Sequence, residues 1–368
     1  MDVLASGRVN ALVHGDHSRA FEEEFARFVG TDYAITQSNG TVALELALRA
    51  LGVGPGDEVI VPARSFFATA SCVVAVGAEP VFADVDPVTQ NICPQSVERM
   101  ISSRTRAVIC VHLAGWPCDT DALLGLCEAK GIFLVEDCAQ AHGAAIDGRR
   151  AGSLGHVAAF SFCTDKIMST GGEGGMLVTS DREIWRKAWS YKDHGKSYEK
   201  VTSGGGGSAF RYIHDNFGSN FRMTEMQATI GRLQLAKLPD WLARRRANAS
   251  LFNEMLGNHP LVTVPAPPAH VDHAWYKYNL TIDVDGLYEK ASVNEIVDEL
   301  RRHGITCGTG TCPDMSREAA FADCRPRRDG ELPNAHAVGR ANLMLAVDHM
   351  FDRDQILEIG SLLRTAIA

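Results

Sequence analysis

The chain has 368 residues, 45% of them hydrophobic and 22% charged, with a formal net charge of −9 at pH 7; that is an ordinary balance for a globular protein with one large and one smaller domain. The acidic balance argues against a nucleic-acid surface, which needs a clustered basic face, and no run reaches the roughly 18 apolar residues of a membrane span. The start lacks the basic flank and apolar stretch of a secretion signal, and ten cysteines form no Cys-x-x-Cys pair, so the expectation is no metal and reduced thiols in a cytoplasmic protein.

The first chemical signal is Ser38-Asn39-Gly40-Thr41 ahead of a helical pattern over residues 42–51. Small and hydroxyl residues opening a helix make an anion site, because unpaired amides and the positive helix end face the ligand. An ordinary N-cap by Ser38 or Thr41 accounts for the same residues. Residues 57–62 read as a strand entering a loop and 66–76 as a helix. That places Phe66 or Phe67 just past a strand end, where ligands bind in open α/β sheets; composition does not choose between them. Residues 80–83, 107–111 and 132–136 read as further strands, with helical spacing over 97–101 and 120–130. Buried strands without polar alternation, each followed by a helix, predict a mainly parallel α/β sheet. Asp137 closes the apolar run of the last of these strands. A carboxylate there either pairs with a cation or caps a loop. Gln140 is within reach of the same ligand, and His142 reads as a satisfied loop histidine.

Residues 158–162 and 176–179 add two strands divided by a loop carrying Lys166 and Gly171-Gly172-Glu173-Gly174-Gly175. The glycines imply backbone conformations or close approaches that side chains would block. Alone, Lys166 would be a surface lysine. Together with Asp137 it suits pyridoxal phosphate chemistry, in which an amine forms a Schiff base with the cofactor aldehyde and a carboxylate keeps the pyridine nitrogen protonated. Ser203-Gly-Gly-Gly-Gly-Ser208 reads as a mobile surface loop. Residues 224–238 have the apolar spacing of a helix through Met226, Ile230, Leu233 and Leu235, and 241–256 of a second, whose Arg244-Arg245-Arg246 reads as a solvated face. The Pro-rich stretch 264–269 marks a boundary. A strand at 275–282, a helix at 293–304, a strand at 341–347 and a helix at 355–365 then make a small α+β unit. The predicted division is 1–240 and 241–368.

Six segments occur in one order: Ser38-Asn-Gly-Thr-x-Ala-Leu44, Gly54-Pro-Gly-Asp-Glu-Val-Ile-Val-Pro62, Gly77-Ala-x-Pro-Val-Phe-Ala-Asp-Val-Asp86, Glu136-Asp-Cys-Ala-Gln-Ala-His-Gly-Ala144, Phe160-Ser-Phe-x-x-x-Lys166-x-x-x-Thr170-Gly-Gly-Glu-Gly-Gly175 and Asn220-Phe-Arg-Met-Thr-Glu-Met-Gln-Ala228. From about Phe21 to Leu238 the series resembles the sugar aminotransferases of the DegT/DnrJ/StrS type, pyridoxal phosphate enzymes of the aspartate-aminotransferase fold type. The resemblance implies a large domain with a seven-stranded, mainly parallel sheet flanked by helices, plus a small C-terminal α+β domain. It implies that Lys166 carries the cofactor and moves protons, Asp137 contacts the pyridine nitrogen, Gln140 lies near the ring hydroxyl and Phe66 stacks on the ring. Thr41, the Val42 amide and Ser161 would bind the phosphate. Asn220 would reach the phosphate of the neighbouring subunit, making a homodimer with shared sites.

The implied reaction is amino transfer, with L-glutamate as donor, to a keto sugar linked to a nucleotide, in bacterial polysaccharide, O-antigen or antibiotic amino-sugar biosynthesis. Alternatives are a glutamine-dependent keto-cyclitol aminotransferase and a non-catalytic regulatory protein keeping the fold. Family dehydratases replace the lysine by histidine, so Lys166 argues against dehydration. Arg211 and Arg222 are candidate cations for an anionic substrate, and His273 and Tyr278 are candidates for either the substrate side or packing. Many members carry a His-Tyr-x-x-Pro-like segment after the Gly-Ile of the small domain. Here Gly304-Ile305 runs into Thr306-Cys-Gly-Thr-Gly-Thr-Cys312, so the substrate-shaping wall departs from the pattern.

Overall fold

The computed structural model describes residues 2–11, 15–203, 211–287 and 292–367; most of the expected Gly-Ser loop, from Gly204 to Ser208, lies outside them. Seven strands form the large sheet, in the order Tyr33–Gln37, Gly175–Thr179, Val157–Ser161, Phe133–Asp137, Thr105–Val111, Glu58–Pro62 and Glu79–Ala83. Gly175–Thr179 alone runs against its neighbours; the other pairings are parallel. Val59 and Val61 pack into the cluster on one face, while Ile60 packs into the cluster on the other. Alternate residues of a strand point to opposite faces, so a sheet covered by helices on both sides needs apolar residues at every position. The helices Gly40–Ala50, Ala68–Ala75 and Arg182–Lys192 supply residues to the first cluster. Thr120–Lys130 supplies Leu123 and Cys127 to the second.

A four-stranded antiparallel sheet follows, in the order Val262–Thr263, Tyr278–Ile282, Asn342–Leu345 and Cys307–Gly308. Its core draws on the helices Leu238–Leu256, Val293–Arg302 and Arg353–Ile367. Between its last two strands the chain crosses back to the large sheet. There Met315, Phe321, Leu332 and Ala335 join the large sheet's cluster, and the rings of Phe82 and Phe321 meet edge to face at 5.5 Å.

One helical surface differs from expectation, and a second is notable for its exposure. Arg245 is buried, donates to the carbonyls of Trp275 and Tyr276, and pairs with Asp348 at 2.6 Å. Successive helical residues point about 100° apart, and here the middle one turns inward while Arg244 and Arg246 face solvent. In Glu225–Leu235 the residue Leu235 is buried, but Met226, Ile230 and Leu233 are exposed, Leu233 by 63%. The apolar stripe that marks the helix is left largely uncovered by the described residues.

Candidate active site

Six strands of the large sheet end at one edge, and a cavity of about 890 Å³ opens there. Thr41, Val42, Phe66, Asp137, Gln140, Ser161 and Lys166 all line it. Asn220 does not. It is exposed, and its backbone bridges to Asp193, which does not line the cavity either.

The helix Gly40–Ala50 starts hard against the end of Val157–Ser161. A Cβ at position 40 would stand 2.6 Å from the Ser161 Cβ, so only glycine lets the first helical turn approach that closely. The cap is Asn39, whose Oδ1 accepts from the Val42 amide at 3.0 Å; neither Ser38 nor Thr41 takes that part. The Val42 amide is therefore engaged here, while the Gly40 and Thr41 amides precede the helical ladder. In the lysine loop Gly171 and Gly172 have φ of 91° and 124°, which side chains rarely adopt.

Asp137 is almost fully buried. Its Oδ2 accepts from Thr69 Oγ1 at 2.9 Å and its Oδ1 from the Ala139 amide at 3.1 Å. Burial pushes its carboxyl above the usual range, and those two hydrogen bonds and the charge of Lys166 only partly oppose that. Gln140 is held by its Oε1, which accepts from the Ala114 amide at 2.6 Å. Phe66 stands 66% exposed at the cavity, whereas Phe67 packs against the core and Phe321, ring centroids 5.6 Å apart.

Lys166 has two partners that the sequence did not reveal. Its Nζ lies 3.2 Å from Asp165 Oδ2 and 3.3 Å from Tyr276 Oη. The Tyr276 hydroxyl also donates to Asp165, which closes a triangle. Burial pushes the Tyr276 phenol well above its usual value, and the Asp165 charge adds to that. Despite partial burial, the bonds from Tyr276 and Lys166 hold the Asp165 carboxyl below its usual value. The signal for Tyr276 was weak: Tyr278 has the same character but points into the small-sheet core and donates to Asn253 at 2.6 Å. His273 is likewise a packing residue, stacked on Trp275 at 4.1 Å, with burial pushing its ring down to about 3.

His142 is not satisfied by a loop. It is buried against Phe160 and Phe162, and neither ring nitrogen has a hydrogen-bond partner among the described residues. Burial pushes it down to about 3, so it sits as a neutral ring. Arg222 is spent on Asp193 at 2.6 Å, and neither it nor Arg211 lines the cavity.

The departing segment is tied to the large sheet by Arg64, which is fully buried. Its guanidinium donates to Gln90 Oε1 at 3.1 Å and to the carbonyls of Thr311 and Thr309 at 3.2 and 3.4 Å. Gln90 in turn donates to Asn342 Oδ1 at 2.7 Å, and Ser65 bridges to Cys312. Gly310, Thr311 and Cys312 thereby become a fixed wall of the cavity.

A family model for the DegT/DnrJ/EryC1/StrS aminotransferase family matches residues 2–364. The chain is similar to a dTDP-3-amino-3,4,6-trideoxy-alpha-D-glucose transaminase of Streptomyces venezuelae, with 37% identity over 97% of this chain and 88% of the relative. It is 39% identical to a UDP-N-acetyl-3-dehydro-alpha-D-glucosamine 3-aminotransferase of Acidithiobacillus ferrooxidans, over 74% of this chain and 70% of that one. Among solved structures, an aminotransferase from Psychrobacter cryohalolentis superposes with a TM-score of 0.96 at 43% identity, covering 99% of this chain and 94% of the other.

Proposed function

This chain belongs to the DegT/DnrJ/EryC1/StrS aminotransferase family, and from that premise we propose that it aminates a keto carbon of a nucleotide-linked deoxysugar, with L-glutamate as donor. Family membership makes it a pyridoxal-phosphate-dependent aminotransferase acting on a keto sugar. The nucleotide and the deoxysugar are supported by relatives whose names carry dTDP and UDP sugars. Amino-sugar formation for a bacterial polysaccharide or antibiotic is the setting that such chemistry serves. Unpaired thiols at all ten cysteines suit the cytoplasm, and no described helix is long and apolar enough to cross a membrane.

One observation carries the reading: an amine and a buried carboxylate, 29 positions apart in sequence, face the same cavity. The cavity fits the cofactor. A buried carboxylate short of a cationic partner is what a protonated pyridine nitrogen would complete. The close approach of Gly40 to Ser161 sets helix-start amides and a hydroxyl side by side, as a phosphate requires. When bound, pyridoxal phosphate supplies an aldehyde that takes up amino groups and a ring that draws electrons from the carbon attached to them.

The chain's own residues do the rest. Lys166 would hold the cofactor and, once freed by the incoming amine, take the proton from the reacting carbon at Nζ and return it to the neighbouring one. Tyr276 and Asp165 orient that nitrogen and offer it a hydrogen-bonded path for its proton. Phe66 would cover the ring, Gln140 would reach its hydroxyl, and Thr41, the Val42 amide and Ser161 would hold the phosphate, with the Val42 amide exchanging Asn39 for it. Asn220 would complete the phosphate site of a partner subunit. Its place outside this chain's cavity and the exposed Met226, Ile230 and Leu233 stripe support a homodimer.

Lys166→Ala is expected to fold, to lose the visible absorbance of the purified protein and to lose turnover. A variant that stays coloured after gel filtration and turns over normally refutes the assignment.

A further inference from the structure

Lys277 is left over once the cofactor is accommodated. It lines the same cavity, and its amine lies 4.9 Å from the centroid of the Tyr276 ring, with Lys166 Nζ at 5.0 Å from that same centroid. Among the described residues lining the cavity, these two lysines are the only cations. Lys166 has Asp165 and Tyr276 as partners. The Lys277 amine has no hydrogen bond or ion pair among the described residues, and burial lowers its hold on the charge. The charges of Asp165 and Asp348 act on it without a direct ion pair, and a half-buried cation with no direct partner at the wall of a cavity is stabilised when a ligand supplies one.

Asn279 is two residues further along and so on the same face of the strand. It lines the cavity too, and its Oδ1 is buried with no hydrogen-bond partner among the described residues. Turning that amide over presents Nδ2 instead, a donor for a second ligand oxygen.

Resting on the transaminase reading above, we propose that Lys277, assisted by Asn279, is the subsite for the α-carboxylate of the amino donor. Position favours carboxylate over phosphate. In an amino acid the carboxylate is one bond from the carbon whose proton Lys166 takes, so its cation must stand beside that lysine. The phosphates of a nucleotide sugar lie beyond the whole sugar ring. Two amines facing one tyrosine ring match the first arrangement. Lys277 holds and turns the amino acid so that its Cα–H faces Lys166.

The test compares the wild type with Lys277→Gln and Lys277→Arg, each purified with cofactor. Binding of glutarate, which cannot react, is read from its shift of the visible band. Conversion of that band by L-glutamate and by L-glutamine is followed in single turnover, and UDP binding is measured as the phosphate alternative. Lys277→Gln is expected to keep the band but bind glutarate, and react with the amino acid, about tenfold more weakly, with Lys277→Arg recovering most of the loss and UDP binding unchanged. Unchanged glutarate affinity in Lys277→Gln overturns the proposal, as does a loss that falls on UDP instead. A wild type that reacts with glutamine and not glutamate overturns only the donor named above, because both amino acids present the same α-carboxylate to Lys277. A protein that never takes up a visible band overturns the reading of the whole site.

Discussion

At position 137 a carboxylate is held by two hydrogen bonds in a nearly dry setting, and its charge is sustainable only beside a cation. Asp137→Asn keeps the Thr69 bond but gives up the charge. Turnover is expected to fall by at least about 100-fold, with the visible band retained. Without cofactor, the thermal midpoint is expected to hold or rise, because no desolvated carboxylate then remains. Full activity in that variant would show that the ring nitrogen needs no acid. Lys166 and Asp137 were legible because each sits in a local pattern, small residues around an amine and a carboxylate ending an apolar strand. Asp165 and Tyr276 were not. They stand 111 residues apart, and nothing in Trp275-Tyr276-Lys277-Tyr278 says which tyrosine turns toward the lysine.

Between elements, the decisive contact is the first turn of Gly40–Ala50 against the end of Val157–Ser161. Gly40→Ala puts a Cβ 2.6 Å from the Ser161 Cβ. The expected result is a loss of about 1–3 kcal/mol in stability from the forced separation, and a larger loss of cofactor affinity, seen as colour leaving the protein on dialysis. Unaltered cofactor retention would place the phosphate elsewhere. Segment boundaries read from sequence landed within a few residues: the strand expected at 132–136 is Phe133–Asp137, and the helix expected at 66–76 is Ala68–Ala75. Apolar spacing located the Glu225–Leu235 helix but not which part of its stripe is covered within the chain, because the spacing is the same whether an apolar face is buried or exposed.

For the whole molecule, that stripe and the outlying Asn220 bear on assembly. Leu233→Glu puts a charge where Leu233 is 63% exposed in the single chain. On the proposed homodimer, it is expected to leave the fold intact, shift the protein from dimer to monomer in analytical ultracentrifugation, and weaken cofactor retention through loss of the Asn220 contact proposed across the interface. A colourful monomer would remove the shared site. The parallel sheet, the family and with it the cofactor were legible in the sequence alone, as was the proposal that Lys166 and Asp137 serve that cofactor, because each depends on residues close together in the chain or on a fixed order of motifs. Tertiary structure alone decided which tyrosine meets Lys166, that Arg245 is buried, that Arg64 fastens the 309–312 wall to the large sheet, and that Lys277 lines the cavity with no direct ion pair among the described residues. Those depend on distances between segments folded from opposite ends of the chain, and no local pattern encodes a distance of that kind.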